Sequence, residues 1–144
     1  MNKLLALAIA ITASGFKDIF DKAGEPYILH CLRVMNNPRL NTVAKKIVGV
    51  LHDGIEDGIV TVEELRTYKF PEYIIEALIL LDHKNSDLSY QGYIKRLSFN
   101  EIAKDVKLSD LEDNSQITRL KGLTKQDFER MEKYHIAYTY LSKI

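Results

Sequence analysis

The segment Val50-Leu51-His52-Asp53-Gly54-Ile55-Glu56-Asp57 runs from an apolar stretch into four ionisable side chains. Burying such groups is unfavourable unless a partner or a metal compensates them. Helical spacing stacks His52 over Glu56 and Asp53 over Asp57, because residues four apart share a face. One stripe then offers a neutral nitrogen ligand and three carboxylates. That set suits a divalent cation and water chemistry beside it. The expectation from these residues is a metal-dependent hydrolytic centre.

A cation held by His52 and Asp53 alone would be bound weakly, so other segments must contribute. The remaining histidines are His30, His83 and His135. His30 sits in Tyr27-Ile28-Leu29-His30, where it reads either as a hydrogen-bonded core residue or as a ligand; the pair at 52–53 favours a ligand. Asp110 follows Val106-Lys107-Leu108, with Asn114 one helical turn further on the same face. Spacing alone fits a ligand or a solvated acidic patch equally, and Glu112 and Asp113 are expected to face water. His83, between Asp82 and Lys84, reads as a polar helix end. His135 reads as packing or surface, and the tyrosines of the last helix as core rather than a base-stacking platform. Cys31 has no local cation that would make it a nucleophile.

Twenty Lys and Arg balance twenty Asp and Glu, which argues against a broad nucleic-acid footprint but leaves room for a small anion pocket. A lone cysteine excludes an intrachain disulfide and fits a reducing compartment. The start, Lys3 followed by Leu4 to Ile11 and small residues near Ala13-Ser14-Gly15, has the makeup of a signal peptide. It is too short to span a membrane. It is expected instead to be a first helix, because later segments need one to cover them.

The elements that must position these residues read as helices throughout, with no sustained two-residue alternation. The first runs from about Asn2 into the teens. Asp21 to Pro26 is a turn, with Gly24 free to take a positive φ and Pro26 suited to the first position of a helix reaching about Asn36. Asn41 is expected to cap a helix from Thr42 to about Asp53. Thr61-Val62-Glu63-Glu64 has capping-box spacing, and Pro71 opens a helix through Leu81. Tyr90 to Leu97 is a further helix. Asn100 caps one that carries Asp110, and Thr124 opens the last, with Phe128, Met131, Tyr134, Tyr138 and Leu141 on one side. The expected fold is all-α, a single helical bundle over residues 1–144.

Three ordered motifs carry a resemblance. Gly24-Glu25-Pro26-Tyr27-Ile28-Leu29-His30, Leu51-His52-Asp53 with Glu56-Asp57, and Lys107-Leu108-Ser109-Asp110 with Asn114 together resemble the HD hydrolase domain of the RelA/SpoT family. The likeness is greatest to its stand-alone small alarmone hydrolases and runs from about residue 4 to 142. The resemblance implies metal ligation by His30, His52, Asp53 and Asp110, usually of manganese, although two imidazoles with two carboxylates suit several borderline cations. It implies Glu56 and Asp57 as the catalytic acidic pair. For the substrate it implies Lys22 and Asn114, with Lys107 and Arg119 as further cationic candidates.

The activity so implied is hydrolysis of the 3′-pyrophosphate of ppGpp and pppGpp to GDP or GTP and pyrophosphate, in the cytoplasm, with no nucleic-acid or membrane partner. The alternatives are hydrolysis of another nucleotide (ppApp, NADPH or a cyclic dinucleotide) and nucleotide sensing without turnover. Three positions depart from the family pattern. Phe16-Lys17-Asp18-Ile19 replaces a His-x-Gly-Gln stretch, Cys31 replaces a proline, and Gly58 replaces a Thr or similar residue. The expected consequence is an altered substrate loop with the ligand set intact.

Overall fold

Short polar side chains set most of the helix starts. Thr42, Thr61, Ser89, Asn100 and Thr124 each accept a hydrogen bond from the backbone N–H three residues on. They thereby satisfy donors that a first helical turn leaves without partners. At Thr61–Glu64 and Thr124–Asp127 the bond is reciprocated by the acidic side chain, completing two capping boxes.

The computed structural model describes all 144 residues. Its helices are α1 (Asn2–Gly15), α2 (Ile28–Met35), α3 (Val43–Leu51), α4 (Val62–Thr67), α5 (Glu72–Leu80), α6 (Tyr90–Leu97), α7 (Glu101–Asn114) and α8 (Lys125–Ser142), with a 3₁₀ turn at Ile117–Arg119. There is no strand; Phe20 and Pro26 form an isolated bridge across the 21–25 turn, and Gly24 takes a φ of 84°. The chain is therefore all-α, as its periodicities predict.

Helix α3 lies at the centre, packed against α1, α2, α5 and α7. Ile47, Val48, Val50 and Leu51 on it are at most 1% exposed. Truncating a residue such as Ile47 to alanine would cost about 2–5 kcal/mol. The apolar start is a helix of this core. Ala8 and Thr12 are buried, and the Thr12 hydroxyl lies 3.2 Å from the Val50 carbonyl oxygen. Gly49 allows α3 its close approach to the end of α2, since a Cβ there would lie 2.6 Å from Leu40 Cδ1 and 3.3 Å from Met35 Cα. That approach brings the end of α3 against His30. No helix is long and apolar enough to cross a membrane.

Several expected boundaries move. Thr42, not Asn41, caps α3, and α2 begins at Ile28 because Pro26 is engaged in the bridge. Helix α3 ends at Leu51, and residues 52–58 form successive turns, so the uninterrupted helical stripe through Asp57 does not form. Gly54 and Gly58 lie in these turns, and Gly58 has a φ of 74°. On α8 the inward side chains include Ala137 and Leu141, whereas Phe128 is exposed.

Candidate metal centre and its clefts

His30 from α2, His52 and Asp53 at the end of α3, and Asp110 from α7 converge at the meeting point of these three helices. Nε2 of His30 lies 3.3 Å from Nε2 of His52. Asp110 Oδ1 is 3.0 Å from the first and 3.2 Å from the second, and Asp53 Oδ2 is 3.1 Å from His52 Nε2 and 3.8 Å from His30 Nε2. Ligand atoms about 2.1 Å from a common metal are separated by roughly 3.0–3.4 Å in octahedral or tetrahedral geometry. Most of the observed spacings fall in that range.

The far side of each ring fixes its tautomer. His52 Nδ1 donates to the Gly49 carbonyl oxygen at 2.7 Å, and His30 Nδ1 donates to Asp113 Oδ2 at 2.6 Å. Both Nε2 atoms therefore present lone pairs to each other, an arrangement that needs a metal ion or extra protons between them. His30, His52 and Asp53 together form a group that could hold a metal ion. Asp110 touches both imidazoles but lies outside that three-residue group.

The electrostatics match. Burial opposes charge on His52, but Asp53 and Asp110 outweigh it and raise its pKa well above the ordinary value. His30 is raised too, with Asp110 and Asp113 overcoming its burial. Asp110, against its burial, is held well below the usual carboxylate range by Lys107 and the two histidines. Lys107 Nζ lies 2.8 Å from Asp110 Oδ2, and Asn114 Nδ2 donates to Oδ1 at 3.0 Å. Tyr27 donates its hydroxyl to Asp53 Oδ2 at 2.5 Å, and its pKa is raised by burial and by Asp53.

Two cavities meet here. The inner pocket, about 230 Å³, is lined by His52, Asp53, Glu56, Lys107 and Asp110, together with His83, Tyr90, Tyr93 and Lys133. The outer cleft, about 400 Å³, carries Lys22, Arg33, Arg119 and Arg130 beside Ile19, Phe20 and Met131. Tyr27, Asn114 and Tyr134 line both. The volume and lining of the outer cleft suit a small anionic ligand with an apolar part.

The acidic pair divides. Glu56 lines the inner pocket, and its Oε1 accepts from the backbone N–H of His83 at 2.9 Å and of Lys84 at 3.1 Å. Asp57 is exposed, pairs with Lys84 Nζ at 3.2 Å, and does not line the pocket. Lys22 and Arg119 stand in the outer cleft, and Arg119 donates to the Asp113 carbonyl oxygen at 2.8 Å. Lys107 is a partly buried partner of Asp110 rather than a free cation.

Asp113 corrects the sequence reading most sharply. Instead of facing water it joins His30 to Arg33 (Nε–Oδ1 2.7 Å) and Arg119 (Nη2–Oδ2 3.4 Å). Its pKa drops to about 2, because His30 and Arg33 overcome its desolvation. The available signal was spacing: Arg33 follows His30 by three, and Asp113 follows Asp110 by three. Tyr134 lines both cavities and is not simply core. His83 lies just beyond the end of α5, as expected of a polar helix end, and its ring also stacks on Tyr93 with centroids 4.7 Å apart. Cys31 is buried, its thiol pushed up to about 12 by burial, and is no nucleophile. No protein-family model and no curated protein matches the chain.

Proposed function

We propose that the chain is a metal-dependent nucleotide phosphohydrolase that removes the 3′-pyrophosphate of ppGpp and pppGpp, releasing GDP or GTP and pyrophosphate in the cytoplasm. The observation that carries this reading is the facing pair of histidine Nε2 atoms bracketed by Asp53 and Asp110, next to a basic cleft. His30, His52, Asp53 and Asp110 would hold a divalent ion, Mn(II) by the resemblance to RelA/SpoT HD domains. Such an ion, when bound, supplies a water of lowered pKa and polarises a phosphoryl oxygen.

The chain's own groups account for the rest. Glu56, with Oε1 fixed by two backbone donors, keeps a second carboxylate oxygen to orient water or accept its proton. Asp57 acts, in this reading, by holding Lys84 beside Glu56. In the outer cleft Lys22, which enters no ion pair, would meet the charge of a phosphorylated nucleoside, beside Arg33 and Arg119, which share Asp113, and Arg130, which pairs with Asp127. Asn114, bonded to Asp110, ties the ligand cluster to the junction of the two cavities.

One observation favours a second reading within the same chemistry. Ile19 belongs to the stretch that departs from the family pattern, and it lines the outer cleft. Selectivity is set by such pocket contacts, so the preferred substrate could be ppApp, NADPH or a cyclic dinucleotide. The deciding experiment is product release from these four nucleotides with Mn(II) and purified protein. Preferential conversion of ppGpp to GDP and pyrophosphate supports the first reading. Turnover of another nucleotide alone moves the function to that substrate, and nucleotide binding with no turnover in any divalent metal makes the chain a sensor.

A further inference from the structure

Tyr90 Oη is the one buried side-chain polar atom in the molecule without a hydrogen-bond partner. A buried hydroxyl is unfavourable unless water or a ligand meets it, so Tyr90 Oη is free to donate to a molecule that enters the pocket. Tyr90 lines the inner pocket together with Glu56, Lys107 and Asp110. Its ring is held against His83 and Tyr93, with centroids 5.8 Å from each. Lys133, from α8, lines the same pocket. Its ammonium lies 4.6 Å from the Tyr90 ring centroid and 5.6 Å from that of Tyr134, and it enters no ion pair.

The other lysine of the pocket, Lys107, is committed to Asp110. The pocket therefore holds one unpaired O–H donor and one unpaired cation close together, beside a cluster rich in carboxylates. Neither belongs to the candidate metal group, His30 of α2 with His52 and Asp53 just after α3. Phosphate oxygens would satisfy both, since a charged oxygen strengthens a hydroxyl bond and pairs with an ammonium.

We infer that Tyr90 and Lys133 form a subsite for the terminal phosphate oxygens of the group cleaved in the inner pocket. The inference rests on reading that pocket as a pyrophosphate-cleaving site and adds the residues that grip the leaving pyrophosphate. Tyr90 and Lys133 are substrate-positioning residues, with no part in holding the metal.

The test uses inorganic pyrophosphate titrated calorimetrically into the full chain carrying one equivalent of Mn(II). Wild type is compared with Tyr90→Phe and Lys133→Gln, after the Mn(II) affinity of each has been measured. The expected result is unchanged Mn(II) affinity, which also reports an intact fold, with pyrophosphate bound about tenfold more weakly by each variant. Equal pyrophosphate affinity in all three proteins, or no binding to wild type, overturns the subsite. Turnover of ppGpp by wild type is measured separately. If it is absent while pyrophosphate binding still depends on Tyr90 and Lys133, the alarmone reading falls and the subsite stands.

Discussion

The candidate ligand cluster and the acidic pair adjoin at residues 52–57, yet they are built differently. His30 and Asp110 are presented from α2 and α7, and His52 caps the end of α3; all three are at most 4% exposed. Each is backed by a second group: Asp113, the Gly49 carbonyl and Lys107. Glu56 and Asp57 ride on turns, and their partners are two backbone N–H groups and one exposed lysine. The buried cluster is held by packed elements and by a backing group on each member, whereas Glu56 and Asp57 are less buried and stand beside it. Metal affinity and turnover should therefore be separable by mutation.

The strongest separation is expected at Glu56. Glu56→Gln should lower turnover by roughly 10²–10⁴-fold, the usual range for a lost general acid or base, while Mn(II) affinity stays within about twofold. Asp57→Asn should cost less than about tenfold in turnover, because Asp57 lies outside the pocket. Equal losses in the two variants, measured by steady-state kinetics beside metal titration, would break the distinction between them.

A smaller effect of the opposite kind is expected at Asp113. Asp113→Asn removes the carboxylate behind His30 and should weaken Mn(II) binding by about 10–100-fold, read by calorimetry. If affinity is unchanged, His30 is not oriented through its Nδ1 atom.

The smallest effect lies away from both regions, in the α8 capping box. Asp127 accepts from the Thr124 backbone N–H and hydroxyl and from Arg130, and these bonds depress its pKa to about 2. An unfolded aspartate titrates near ~4. The contribution of Asp127 to stability is therefore complete above pH ~4 and is lost as pH falls toward 2. Asp127→Asn should flatten that part of the acid-unfolding curve while leaving Mn(II) binding unchanged at neutral pH.

What could be read in advance follows the same division. Caps such as Asn100 and Thr124 act within one turn, so α7 and α8 start where their sequences indicate. His30 and the His52-Asp53 pair stand out in apolar segments because burial demands a reason for them. Asp110, in the polar α7, fitted a ligand or a solvated patch equally and was indicated only by the family resemblance, and the structure brings all four together. The end of α3 was misplaced because turns at Gly54 and Gly58 override the spacing that stacks Glu56 on His52. Asp113, Tyr90 and Lys133 were missed for a different reason. Asp113 meets its partners from α2 and from the 3₁₀ turn, and Tyr90 and Lys133 come together only through the packing of α6 on α8, so a polar residue in a polar helix carries no local sign of what lies across from it.

A buried histidine and aspartate cluster of this geometry is proposed to hold one divalent ion. Calorimetric titration of Mn(II) into the purified chain, beside His52→Ala/Asp53→Ala, tests it directly. The prediction is one ion per chain, with proton release because the carboxylates raise both histidine pKa values in the metal-free protein, and no high-affinity ion in the double variant. Identical binding by the two proteins, or no binding by wild type, would contradict it.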